Sequence, residues 1–145
     1  MKIGIANDHR AYDCKETLKK LLEEYEIIDY GSFDNKLIDY PKYAFDLSTA
    51  VLKKEVDLGI VMCGTGIGVS IACNKVKGIR CAKVSNKEEA QITRIDNNSN
   101  IVAFSEKVSE SDALDIVKTF ITTEASPEEK HIRRVNKIIA YEENN

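Results

Sequence analysis

The sequence predicts an α/β fold: a doubly wound, Rossmann-like three-layer sandwich with a five-stranded parallel sheet and an extra C-terminal helix. Three observations carry that prediction. Five short apolar runs alternate with longer amphipathic stretches, the pattern of strands joined through crossover helices. The runs are rich in β-branched residues, as strands covered on both faces are. The length, 145 residues, suits one domain of the usual ~100–200 residues.

Each element has its own signal. Lys2–Asp8 is a strand, with Ile3 and Ile5 among small residues. Ala11–Tyr25 is a helix, with Tyr12, Leu18, Leu21, Leu22 and Tyr25 at helical spacing. Glu26–Tyr30 is a strand stopped by Gly31-Ser32, and a polar loop follows to Asp39. Pro41 suits the first turn of a helix reaching about Glu55, with Ala44, Leu47, Ala50 and Val51 on one face. Asp57–Cys63 is a nearly all-apolar strand, Gly64–Gly68 a glycine loop and Val69–Val76 a helix. Arg80–Val84 is a strand, Asn86 to about Asn97 a helix and Ile101–Phe104 the fifth strand. Ser109 is a good N-cap for a helix over Ser111–Thr123, with Asp112 in its first turn. Pro127 opens a last helix with Ile132, Val135, Ile138 and Ile139 on its apolar side. Residues 1–145 therefore read as a single domain.

Composition narrows the function. A net charge of −3 and a pI near 5.5 argue against nucleic acid and anionic membranes as partners. No apolar run approaches the ~20 residues of a membrane span, and Met1–Asp8 is too soon polar for a signal peptide. A cytoplasmic protein is expected. Cys14, Cys63, Cys73 and Cys81 form no C-x-x-C pair and only His9 and His131 are present, so neither a zinc site nor a disulfide framework is expected.

In such sheets ligands sit beyond the carboxyl ends of the strands. The strongest signal there is Cys63-Gly64-Thr65-Gly66-Ile67-Gly68. Glycines between a strand and a helix let the backbone approach a ligand and aim amides at negative charge. The spacing is neither the dinucleotide G-x-G-x-x-G nor a P-loop, so a nucleotide-binding module is the weakest reading; a tight strand–helix turn is the plain structural one. Cys63, at the mouth of that loop, is placed where a thiolate is stabilised. Asp8 suits either a sugar hydroxyl or the N-cap of the first helix. His9 suits a phosphate or a proton transfer. Lys130, Arg133 and Arg134 share a helix face that is either a phosphate clamp or a solvated basic surface. Tyr40 and Tyr43 flank Pro41; one lines a pocket or both are core.

Asn7-Asp8-His9-Arg10, Ile38 to Ala44, Cys63 to Lys75, Gly78-Ile79-Arg80, Asn97 to Asn100 and His131 to Val135 resemble the type B ribose-5-phosphate isomerase and galactose-6-phosphate isomerase family, in register over essentially the whole chain. The resemblance implies aldose–ketose isomerisation of a phosphosugar, with ribose 5-phosphate and ribulose 5-phosphate the leading pair, and no metal or organic cofactor. A proton moves between C2 and C1 through an enediolate. By that analogy Cys63 is the base. Thr65 and the amides around Gly64, Gly66 and Gly68 stabilise the enediolate oxygen. Asp8 and Asn97 contact sugar hydroxyls, Tyr40 and Asn74 border the pocket, and His9, Lys107, Lys130 and Arg134 hold the phosphate. Two subunits build each pocket in the family, which implies a homodimer or a dimer of dimers with shared active sites.

The chain departs from the family in three places. The ring-opening histidine is Asp96 here, two usual arginines are Lys107 and Lys130, and the glycine after the fifth strand is Ser105. Lysine keeps the charge of arginine and loses its bidentate geometry. Asp96 opens three routes: ring opening by Asp96 or another group, reliance on spontaneous opening, or a cysteine-bearing subunit that needs a partner chain. Alternative readings are a hexose-phosphate isomerase (allose or galactose 6-phosphate) and, from another class, a non-catalytic phosphosugar-binding protein.

Overall fold

A computed structural model describes all 145 residues. Five strands, β1 (Lys2–Asn7), β2 (Glu26–Asp29), β3 (Leu58–Cys63), β4 (Cys81–Lys83) and β5 (Ile101–Ser105), form one sheet in the order β2-β1-β3-β5-β4. Every neighbouring pair is parallel, which fits the apolar, double-sided strands. The helices are α1 (Tyr12–Leu21), α2 (Pro41–Leu52), α3 (Ile67–Asn74), α4 (Lys87–Asn97), α5 (Glu110–Thr122) and α6 (Glu129–Glu143). None is long and apolar enough to cross a membrane.

Strand periodicity divides the core in two. Ile3, Ile5, Ile60, Met62, Val102 and Phe104 point to one face, where Leu18 of α1 and Ile116, Val117 and Phe120 of α5 cover them. Ala6, Val61, Cys63, Ile101 and Ala103 point to the other, under Ala44, Leu47 and Val51 of α2 and Val69 and Cys73 of α3. Helix α6 lies outside this sandwich, against α4.

Some boundaries differ from the sequence reading. The first helix starts with a 3-10 turn at His9–Ala11 and stops at Leu21, not Tyr25. Glu23 and Glu24 would put negative charge at its carboxyl end, where the helix dipole disfavours it. Leu22 is still buried, from the turn that follows. Pro127 does not open the last helix: it lies in a turn where Ser126 Oγ accepts from Glu128 N at 3.0 Å, and α6 begins at Glu129. The expected caps are present. Asn86 Oδ1 accepts from Glu89 N at 2.9 Å and Ser109 Oγ accepts from Asp112 N at 3.1 Å. All four cysteines are free thiols.

The strand order reverses between β1 and β3, so the crevice of this fold opens at their carboxyl ends. Asp8 follows β1 and Cys63 ends β3, and Asp8 N donates to Met62 O at 3.0 Å.

Candidate active site

Chain geometry brings Cys63 and Asp8 together at this switch point. Cys63 is 5% exposed, and its Sγ accepts a hydrogen bond from Gly66 N at 3.1 Å. A donor there lowers the energy of negative charge on sulfur. The turn that makes it possible requires glycine. Gly66 has φ +80°, and a Cβ on it would lie 2.7 Å from the Phe104 carbonyl carbon. That neighbour is backbone at the end of β5 and cannot move aside.

The loop is anchored from below and capped from within. Ser105 Oγ donates to Gly64 O at 2.8 Å and accepts from Lys107 N at 3.0 Å. The residue found in place of the family glycine thus ties β5 to the glycine loop. Thr65 Oγ1 accepts from Ile67 N at 3.1 Å, which caps α3 and leaves its hydroxyl hydrogen for a ligand.

Asp8 is buried and serves the fold: Oδ1 accepts from Arg10 N at 3.0 Å and Ala11 N at 3.1 Å. This is the capping reading of Asp8, and it leaves Oδ2 for a ligand hydroxyl. His9 Nδ1 accepts from Ile38 N at 3.4 Å, which fixes the tautomer with hydrogen on Nε2. Tyr40 and Tyr43 separate in role. A Cβ on Gly68 would fall 2.8 Å from Tyr40 Oη, so Tyr40 lies over the loop, while Tyr43 packs against the core. Lys107 is exposed just past the end of β5, on the same side of the sheet end. Arg10 belongs to this cluster and had no role from the sequence. Its Cδ would be 3.0 Å from a Cβ on Gly64, which brings a guanidinium onto the loop. Its place two residues beyond Asp8, in the Asn-Asp-His-Arg run, was the signal.

The remaining predicted residues lie at the opposite end of the sheet. Asn97 ends α4, which runs back to the start of β5, and Gly59 N donates to Asn100 O at 3.0 Å. The four strand steps from Gly59 to Cys63 put ~13 Å of strand between the two ends. Asp96, Asn97, Lys130, His131 and Arg134 are therefore grouped together and apart from Cys63. Asn74 is at the far end of α3, where Oδ1 accepts from Cys81 N and Nδ2 donates to Cys81 O, both at 2.8 Å. Within one chain it does not border the Cys63 loop.

This second cluster is well ordered by hydrogen bonds. Arg80 Nε donates to Asn97 O at 3.1 Å and Nη2 to Asn98 O at 2.9 Å. Arg94 Nη1 donates to Asn98 Oδ1 at 3.1 Å. The Arg80 guanidinium satisfies carbonyls that the end of α4 leaves without partners. Burial lowers the pKa of both arginines from the usual arginine value. Asp96 is half exposed and its Oδ1 is 3.4 Å from His131 Nε2. On α6, Arg133 pairs with Glu129 and Lys130 Nζ lies 3.6 Å from Glu128 Oε2, whereas Arg134 has no ion pair. No group of three or more His, Cys, Asp or Glu side chains is placed to share a metal ion.

Comparison with known proteins gives the family. The family model described as Ribose/Galactose Isomerase matches residues 3–138. Ribose-5-phosphate isomerase B of Escherichia coli (strain K12) is 37% identical, over 98% of this chain and 97% of its own. The solved ribose-5-phosphate isomerase B of Clostridium thermocellum superposes with a TM-score of 0.95 at 43% identity, covering 99% of both chains. That of Mycoplasma genitalium, solved with bound ribulose 5-phosphate, superposes with a TM-score of 0.92 at 35% identity, covering 99% of this chain and 97% of the other. The chain belongs to the ribose/galactose isomerase family.

Proposed function

We propose that the protein interconverts ribose 5-phosphate and ribulose 5-phosphate, with Cys63 as the proton carrier. The observation that carries this is the Gly66 N–H aimed at Cys63 Sγ, at the switch point and beside Asp8 and His9. In the open aldose the thiolate takes the C2 proton. A C1=C2 double bond forms and negative charge moves to O1. The O2 proton passes to O1, and the thiol returns its proton to C1, leaving the carbonyl at C2. The thiol carries the proton between C2 and C1, O2–H passes to O1, and no net oxidation or reduction occurs, so no cofactor is needed. Charge on the enediolate oxygens meets the loop amides and Thr65, an interaction that grows in the transition state. Asp8 Oδ2 accepts from a sugar hydroxyl, and Tyr40 covers the loop.

A second copy of the chain completes the site in this reading. Asp96, Asn97, Lys130 and Arg134 of one chain meet Cys63, His9 and Lys107 of the other, the sugar between them. Two features support a homodimer, or a dimer of dimers. No cavity of the single chain takes in Cys63. Along the neighbouring helices α2 and α3, Phe45, Leu52, Ile67 and Ile71 are each 42–55% exposed. Adjacent exposed apolar side chains of this size mark an interaction surface.

The test is turnover by the purified protein on ribose 5-phosphate, beside allose and galactose 6-phosphates. Turnover on ribose 5-phosphate is expected to fall by about 10³-fold in Cys63→Ala with the fold retained. Undiminished turnover in that variant overturns the assigned base. Activity confined to a hexose phosphate moves the substrate. Binding without turnover on any of the three makes the protein a phosphosugar binder.

A further inference from the structure

Asp96 and His131 form a pair that the fold does not need. His131 is only 13% exposed, and its Nδ1 is buried without a hydrogen-bond partner. Its one ion pair is with Asp96, whose Oδ1 lies 3.4 Å from Nε2. Buried imidazole nitrogens normally find partners, so an orphaned one asks for another explanation. Asp96 is equally out of place for stability: it sits in the last turn of α4, where the helix dipole opposes a negative charge. The turn after it is nonetheless held rigidly by Arg80 and Arg94. Asp96, His131, Arg80 and Asn98 line one surface cleft between α4 and α6, and the Asp96 carboxylate is 45% exposed at it.

We propose that Asp96 is the ring-opening residue of this chain and that His131 is its positioning residue, the pair together replacing a single histidine. The inference rests on the isomerase reading above. His131 Nε2 lies 3.4 Å from Oδ1, and in this assignment Oδ2 is the oxygen that meets the sugar. Oδ2 takes the proton of the anomeric hydroxyl of the furanose. The C1–O4 bond breaks, C1=O1 forms, and Oδ2 returns the same proton to O4. The carboxylate ends as it began. An ionised aspartate suits this order, because it acts first as a base. Both oxygens it serves are bonded to C1, so one carboxylate reaches both.

Ring opening can be separated from isomerisation by experiment. Ribulose 5-phosphate has no free hydroxyl able to close a ring on its C2 carbonyl. Exchange of its C1 hydrogen with solvent deuterium therefore requires Cys63 and no ring opening. The measurement is forward turnover of ribose 5-phosphate beside C1 exchange of ribulose 5-phosphate, in wild type, His131→Asn and Asp96→Asn. Forward turnover is expected to fall roughly tenfold to a hundredfold in both variants, with exchange held within about twofold. Asp96 is half exposed, so its variant keeps the test open if His131→Asn fails to fold. Equal loss of both rates, or unchanged forward turnover in Asp96→Asn, overturns the proposal. Absence of both turnover and exchange in the wild type itself would instead remove the isomerase reading.

Discussion

Cys63 is set apart from the other three cysteines by what the backbone does after it. Cys14, within α1, has its thiol pushed up to about 11, first by burial and then by Glu106 and Glu110. It stays protonated and inert at neutral pH. Cys63 instead receives an amide from a turn that only glycine can make. Gly66→Ala is expected to cost about 2 kcal/mol or more of stability, for the positive φ alone, and more for the Phe104 contact. Turnover should fall with it, because the same turn delivers the amide. Denaturant melts and kinetics on the one variant check both; a stable, fully active Gly66→Ala would show that the loop geometry is not what serves the thiol. Cys63, the glycines and Asp8 were legible in the sequence because strand ends and glycine turns are local. Arg10 was hidden because its contact, with Gly64, is distant in sequence. His131 was named only as one of two histidines and within a family motif, since its relation to Asp96 exists only once α6 packs on α4.

At the scale of elements, one buried lysine fixes how α1 meets the sheet. Lys15 of α1 is fully buried; its Nζ donates to Asp29 Oδ1 at 3.0 Å and to Ser32 O. Lys19 Nζ reaches Asp29 Oδ2 at 3.0 Å, and Gly31 N donates to Asp29 Oδ1 at 2.9 Å. Burial opposes the charge on Asp29, but the Gly31 amide and the two ammonium groups outweigh it and hold its carboxyl below the usual carboxylate range. The sign follows directly. A lowered folded pKa contributes stability that is present above the ordinary aspartate value near ~4 and is lost as pH falls through the lowered one. Asp29→Asn is expected to lose about 3 kcal/mol at neutral pH, because it strands a buried ammonium. Its stability should also fall less steeply than wild type on acidification below about pH 4. Denaturant midpoints at several pH values measure both; equal midpoints at pH 7 would contradict the account. The sequence does not single out Lys15, since helical spacing does not show that a lysine faces inward. The same spacing carried α1 too far, to Tyr25, because Leu22 and Tyr25 keep the apolar rhythm after the backbone has left the helix.

For the whole molecule, the parallel, doubly wound sheet was legible as alternation, and so was the end of the sheet that carries Cys63. The division of the predicted site between two ends was not, because a motif list has no direction along the sheet. It appears only when α4 is seen to run back to the start of β5. If one sugar is worked on by Cys63 of one chain and Asp96 of another, two crippled variants should repair each other. Cys63→Ala and Asp96→Ala are each expected to turn over ribose 5-phosphate poorly. Unfolded and refolded together, random pairing makes about half the dimers mixed. Each mixed dimer holds one intact site and one doubly altered site, so roughly a quarter of wild-type turnover should return, by counting sites in a closed symmetric dimer. Recovery to that level supports a site shared between chains; a mixture no more active than the sum of its two components, at full dimer exchange, contradicts it.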